Sequence, residues 1–143
     1  FVYGHMYGSS GHQRRPSMPV TAAYVRRSAR TPPRTGKSIV NPRLVRNIPN
    51  PHYMKLWVGE TVDERGGPVP FYDPPPAGFA PSSAVLRINH YWSRSLEDLA
   101  EKVRRGNALD GQSRDLAGHL RLEQQLNAVE DGILAGAREA GAG

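Results

Sequence analysis

The 143-residue chain contains no cysteine, so a disulfide framework and a thiolate metal site are both excluded, and cysteine usage says nothing about redox compartment. It also lacks any apolar run near the roughly 18 residues that a membrane-spanning helix requires, and nothing resembles a cleavable signal. No methionine opens it. A start at Phe1-Val2-Tyr3-Gly4 leads to the expectation of a processed or partial chain. Carboxylates are missing from the whole front of the sequence, because the first acid is Glu60. Before it stand Arg14, Arg15, Arg26, Arg27, Arg30, Arg34, Lys37, Arg43 and Arg46, whereas residues 51–143 carry ten basic and thirteen acidic groups. The net charge of +6 therefore belongs to the front half, which suits a phosphate-bearing partner: a sugar-nucleotide diphosphate, a nucleic acid or an anionic lipid. The alternative is a merely solubilising surface.

What is present is a 38% hydrophobic composition broken by 15 Gly and 13 Pro, which predicts one domain with long ordered loops. Residues 1–18, with Gly8-Ser9-Ser10-Gly11-His12, read as a loop. A short helix is expected over Val20–Arg30, ended by Thr31-Pro32-Pro33, since the residue before proline disfavours the α region. Ser38–Val40 is a short strand, Arg43–Ile48 alternates basic and apolar residues, and His52–Val58 and Thr61-Val62 flank an irregular hairpin turning at residues 63–68. Residues 70–81 hold Pro74-Pro75-Pro76 and read as a surface loop. Ala84–Tyr91 is the clearest strand. Ser95 then caps a helix with Asp98 at capping-box distance, a stripe of Leu96, Leu99, Ala100 and Val103, and a stop at Gly106. A second helix is expected from about Arg114 to Ala137 on Leu116, Leu120, Leu126, Val129 and Ile133.

Three segments recur in one order: Tyr7-Gly8-Ser9-Ser10-Gly11-His12, Lys37-Ser38-Ile39-Val40-Asn41-Pro42, and Ile88-Asn89-His90-Tyr91-Trp92-Ser93-Arg94-Ser95 leading to Glu97, Lys102, Arg105 and Gly106. With Asn50-Pro51-His52 between them, they resemble the C-terminal part of the glycosyltransferases grouped as family two-like or family ninety-two. The resemblance implies an α/β fold of GT-A, Rossmann-like type, present here as its C-terminal portion: a short mixed sheet, a hairpin and two C-terminal helices. It divides the chain into a catalytic-domain portion at 1–106 and a helical extension at 107–143. It implies transfer of a sugar from a nucleotide-diphosphate donor to a glycan or other acceptor hydroxyl. A divalent cation, Mn or Mg, is then held by an Asp-x-Asp motif against the leaving diphosphate. The sequence has no Asp-x-Asp, which the resemblance places upstream, so this chain alone is expected to be inactive.

Individual residues follow from this. His90 ends an apolar strand and is the candidate metal ligand, against a structural histidine bonded to a backbone carbonyl. Gly8, Ser9, Ser10, Gly11 and His12 are the candidate donor-binding loop, offering N–H groups, hydroxyls and an imidazole, against a plain glycine turn. Lys37 is a candidate for neutralising a diphosphate oxygen, and His52 for lining the same cleft. Inverting transfer needs a carboxylate base. Asp63 and Glu64 are turn acids, Glu97 and Asp98 first-turn helix acids and Glu130-Asp131 a solvated face, so none is nominated. Two rival readings remain: a basic nucleic-acid-binding module, although no zinc-finger, RNP-like or helix-turn-helix pattern appears, and a structural interaction protein using its Pro-rich loops.

Overall fold

A computed structural model describes residues 1–31, 35–70, 77–106 and 115–135. The described residues form a mixed α and β structure with small sheets and a few helices. The chain divides into two compact units, Phe1–His5 with Arg30–Asn89, and Met6–Ala29 with His90–Gly143. The described residues 115–135 fall in the same unit as Met6–Ala29.

The strand β1, Val2–Tyr7, begins in the first unit and ends in the second. Residues 1–18 were expected to be loop, yet β1 buries Val2, Tyr3, Gly4, His5 and Tyr7 without alternation. A strand covered on both faces has no period-2 signature to read. In the first unit, β1 pairs antiparallel with a two-residue strand Gly36–Lys37, Val2 opposite Lys37 and Tyr3 opposite Gly36. The strand expected at Ser38–Val40 thus lies two residues earlier. The core around it is aromatic: Phe1 meets Tyr3 edge-on at 5.0 Å between ring centroids, and Phe79 lies 6.2 Å from Tyr3. Burial, with Asp63 adding to it, pushes the Tyr3 hydroxyl up to about 12.

The first unit also carries a hairpin. A 3-10 turn at Pro42–Leu44 leads into Val45–Asn50, which pairs antiparallel with Tyr53–Leu56. Asn50 closes the turn by accepting from the N–H groups of His52 at 2.8 Å and Tyr53 at 3.3 Å. The irregular turn at residues 63–68 is present: the Asp63 carboxylate accepts from the N–H groups of Arg65 and Gly67, and Gly66 adopts φ +79°.

Glu64 explains why the strand expected at Ala84–Tyr91 is cut to Ile88–Tyr91. Its carboxylate accepts from the Ser82 hydroxyl at 2.5 Å and from the N–H groups of Ala84, Val85 and Leu86, so those amides are withdrawn from any ladder. The same bonds, Ser82 first, outweigh the effect of burial and lower Glu64 to about 2 from an ordinary 4.5. A depressed carboxylate stabilises the fold fully above its ordinary value and loses that contribution as pH falls towards the folded value. Amide exchange at Ala84–Leu86 is therefore expected to accelerate between about pH 4.5 and pH 2 beyond its intrinsic pH dependence. In Glu64→Gln that excess acceleration is expected to vanish; an unchanged profile would remove Glu64 as the clamp.

In the second unit the end of β1 pairs antiparallel with Arg26–Arg27, Tyr7 opposite Arg27. That strand pairs antiparallel in turn with Val129–Glu130. The expected helix over Val20–Arg30 is one turn only, Val20–Ala23, because Arg26 and Arg27 are taken into the sheet. The helix Leu96–Arg104, called α2 below, forms as its sequence requires. The Ser95 hydroxyl accepts from the Asp98 N–H at 3.1 Å, Glu97 and Asp98 sit in the first turn, and Gly106 takes φ +74°. The last helix, Leu116–Gln125, is capped by Asp115 and stops well short of Ala137, because Val129 enters the sheet. The pairings of β1 with Gly36–Lys37 and with Arg26–Arg27, of Arg26–Arg27 with Val129–Glu130, and within the hairpin are antiparallel, and Ile88–Tyr91 is a further neighbour of β1. Among the described residues no helix is long and apolar enough to cross a membrane.

Candidate functional site

Tyr91–Arg94, between the strand Ile88–Tyr91 and the Ser95 cap of α2, line a polar hollow of about 350 Å³ in the second unit. Arg94, Lys102, Arg105 and Arg15 reach this hollow, with Asp98 and Glu101 as its carboxylates. The charges are not equivalent. Arg15 is tied to Asp98 by a hydrogen bond of 3.0 Å from its Nε and by a second, shorter one, while its own N–H donates to Glu97 at 3.0 Å. Burial, which alone would raise Asp98, is outweighed by bonds from Arg15 and Ser95, and the carboxyl ends below its usual range. Arg15 also lies 3.7 Å from the Glu101 carboxylate, and Arg94, Lys102 and Arg105 bring the lining to four cations against the two carboxylates Asp98 and Glu101.

Lys102 is fixed. Its Nζ donates to the Trp92 carbonyl at 2.9 Å and lies 4.1 Å from the centroid of the same indole, whose other neighbour is the His119 ring stacked at 5.1 Å. Arg94 holds φ +55°, an uncommon conformation for a side chain of its size, at the junction where the strand turns into the helix cap. Ser93 beside it is 2% exposed, and its hydroxyl has no hydrogen-bond partner among the described residues. Below the hollow, Tyr91 packs on Tyr7 at 5.0 Å and on Tyr24 at 6.4 Å.

The glycine loop lies in the same unit and lines a second, more open hollow of about 520 Å³ with Arg26, Glu123 and Asn127. Its expected role as an N–H cradle meets a physical obstacle, since its amides already have acceptors. Ser9 N–H donates to the buried Glu123 carboxylate at 2.8 Å and Ser10 N–H to Asn127 at 2.7 Å. Gly8 donates to the Arg26 carbonyl, Gly11 to the Ser9 hydroxyl and His12 to the Ser9 carbonyl. The one anion that the loop's amides touch is the chain's own Glu123, through the Ser9 N–H. His12 points inward as well: its Nε2 donates to the Ala23 carbonyl at 2.9 Å, and its ring meets Tyr24 edge-on. The hydroxyls of Ser9 and Ser10 are what the loop has left to offer, each accepting one backbone N–H and retaining a hydrogen to donate.

His90 is exposed and sits in the second unit, one residue before the hollow-lining Tyr91. Among the described residues no group of three or more His, Asp or Glu side chains could hold a metal ion, so the described residues do not by themselves compose a metal site. Lys37 and His52 belong to the first unit, where Lys37 Nζ donates to the Pro51 carbonyl at 3.2 Å and the His52 ring to the Gly36 carbonyl at 2.9 Å. The acids weighed as bases have structural partners: Asp63 in its turn, Glu64 in its clamp, Glu97 and Asp98 on Arg15, and Asp131 on Arg27 at 2.5 Å. Glu130 is exposed on a strand pairing with Arg26. Sequence reasoning explained Trp92, Ser93, Arg94, Lys102 and Arg105 only as parts of a motif; their convergence on one hollow was hidden, although the i, i+3 spacing of Lys102 and Arg105 placed both on one helix face. No family model matches the chain, and no curated protein or solved structure matches it.

Proposed function

We propose that this chain is the C-terminal portion of a GT-A-type glycosyltransferase catalytic domain, and that the hollow at the amino end of α2 receives the phosphate-bearing end of a nucleotide-sugar donor. The observation that supports this reading is that Tyr91–Arg94, Lys102 and Arg105, which carry the resemblance to those enzymes, line one hollow with an excess of positive charge. Guanidinium and ammonium groups in excess over carboxylates favour an anionic, phosphate-bearing ligand. In this reading the Ser9 and Ser10 hydroxyls of the same unit are further donor contacts. His90 is one ligand of a Mn or Mg ion whose other ligands come from outside these residues. The acceptor is a glycan or other hydroxyl compound.

The test uses the 143-residue chain and nucleoside diphosphates at millimolar concentration, followed by amide chemical shifts. Shifts at Tyr91–Arg94, Lys102 and Arg105 are expected, with affinity falling about tenfold in the double variant Arg94→Ala/Arg105→Ala, whose two side chains are exposed. Shifts that are absent, or unaltered in the variant, would overturn the placement of the donor. An oligonucleotide bound in its place, with a steep loss of affinity on adding salt, would favour the nucleic-acid reading. In a longer protein carrying this chain, His90→Ala is expected to reduce sugar transfer sharply; undiminished turnover would remove His90.

A further inference from the structure

The hairpin formed by Val45–Asn50 and Tyr53–Leu56 is open to solvent along most of its first strand, where Arg46, Asn47, Ile48 and Pro49 are all exposed. Its apolar groups are not tucked in. Ile48 is 59% exposed, Trp57 69% and Val58 66%, a density of exposed aliphatic and indole surface that marks a contact site more often than an ordinary face. Basic residues accompany them: Arg43, Arg46 and Lys55 are exposed, no carboxylate precedes Glu60 in the sequence, and among the described residues none of the three is in an ion pair. The Arg46 guanidinium lies 5.3 Å from the Trp57 ring centroid, and the Trp57 N–H is anchored on the Leu44 carbonyl at 2.9 Å, so indole and cation are presented together.

We infer that this hairpin seats on an anionic lipid surface, with Trp57, Ile48 and Val58 entering the headgroup boundary and Arg43, Arg46 and Lys55 facing the lipid phosphates and carboxylates. Charge complementarity carries the choice of occupant. Indole rings favour the membrane–water boundary, aliphatic side chains gain by leaving water there, and basic groups are attracted to an anionic leaflet. A single strand of nucleic acid would use cations and ring faces but gain nothing from Ile48 and Val58. One face of Trp57 is in any case occupied by Arg46.

Sedimentation of the 143-residue chain with phosphatidylcholine vesicles, with and without phosphatidylserine, tests this. Trp92→Phe leaves Trp57 as the sole indole reporter. Binding is expected only with phosphatidylserine, accompanied by a blue shift of Trp57 emission and weakened by salt. Arg46→Gln and Lys55→Gln are each expected to weaken partitioning about fivefold. Trp57→Ala is expected to weaken sedimentation with phosphatidylserine vesicles without changing the thermal midpoint, since the ring is exposed. No sedimentation with phosphatidylserine, or sedimentation indifferent to all three substitutions, would overturn the inference. So would an oligonucleotide or an acidic protein that displaces the chain from the vesicles at stoichiometric concentration.

Discussion

Replacing Glu123 by alanine is expected to lower the stability of the protein by about 2–3 kcal/mol and to release the Gly8–His12 loop. The side chain is 7% exposed and holds two donors, the Ser9 N–H at 2.8 Å and the Asn127 amide at 2.5 Å. Removing it leaves the Ser9 N–H buried without an acceptor and takes from the Asn127 amide one of its two acceptors, the other being the Glu123 backbone carbonyl. Denaturant midpoints and hydrogen exchange at Ser9 and Ser10 measure both parts of the effect. Glu123→Gln keeps an acceptor oxygen and should recover much of the loss; equal midpoints for wild type and Glu123→Ala would show that the carboxylate does not hold the loop.

The substitution Gly36→Ala should cost about 3 kcal/mol, at the upper end for overpacking, because the obstacle is backbone. A Cβ at this position would stand 2.3 Å from the Val2 carbonyl oxygen and 2.6 Å from the Phe1 ring. Neither can yield without parting the two-residue strand from β1, since Tyr3 lies directly opposite Gly36 in the register. Lys37→Ala, one residue on, removes an exposed side chain with a single 3.2 Å bond and should change stability by less than about 0.5 kcal/mol. A thermal midpoint for Gly36→Ala within a degree or so of that for Lys37→Ala would contradict the close packing of these strands.

The contrast between α2 and β1 shows what could be read from residue order. α2 is specified by neighbours: a serine cap, two acids in the first turn and a glycine in the left-handed region lie within a dozen residues, and local chemistry decides both ends. β1 is specified at a distance. Its Gly4 and His5 read as loop residues until Thr35 supplies an acceptor to the Gly4 N–H and Ser83 and Thr31 satisfy the His5 ring. The over-long strand and helix have the same origin. Ala84, Val85 and Leu86 have strand composition but surrender their amides to Glu64, about twenty positions back, and Val129 has helical spacing but pairs with Arg27.

Within the candidate site, residue types were legible and occupancy was not. Gly8-Ser9-Ser10-Gly11 does build a turn with converging amides, and Ser10 accepts φ +53° there. Nothing local reveals that a carboxylate 114 residues away has already filled it. Conversely, Ser93, Arg94 and Lys102 stood in a recognisable string, yet only the turn from strand to helix aims them at a shared space.

The partnership of the glycine loop with Glu123 and Asn127 also orders events during synthesis. Ribosomes deliver the amino-terminal end first, so Gly8–His12 emerges long before its acceptors exist. Until residues 123–127 clear the exit tunnel, the Ser9 and Ser10 amides lack these acceptors, and this corner of the molecule matures only after Glu123 and Asn127 have been made.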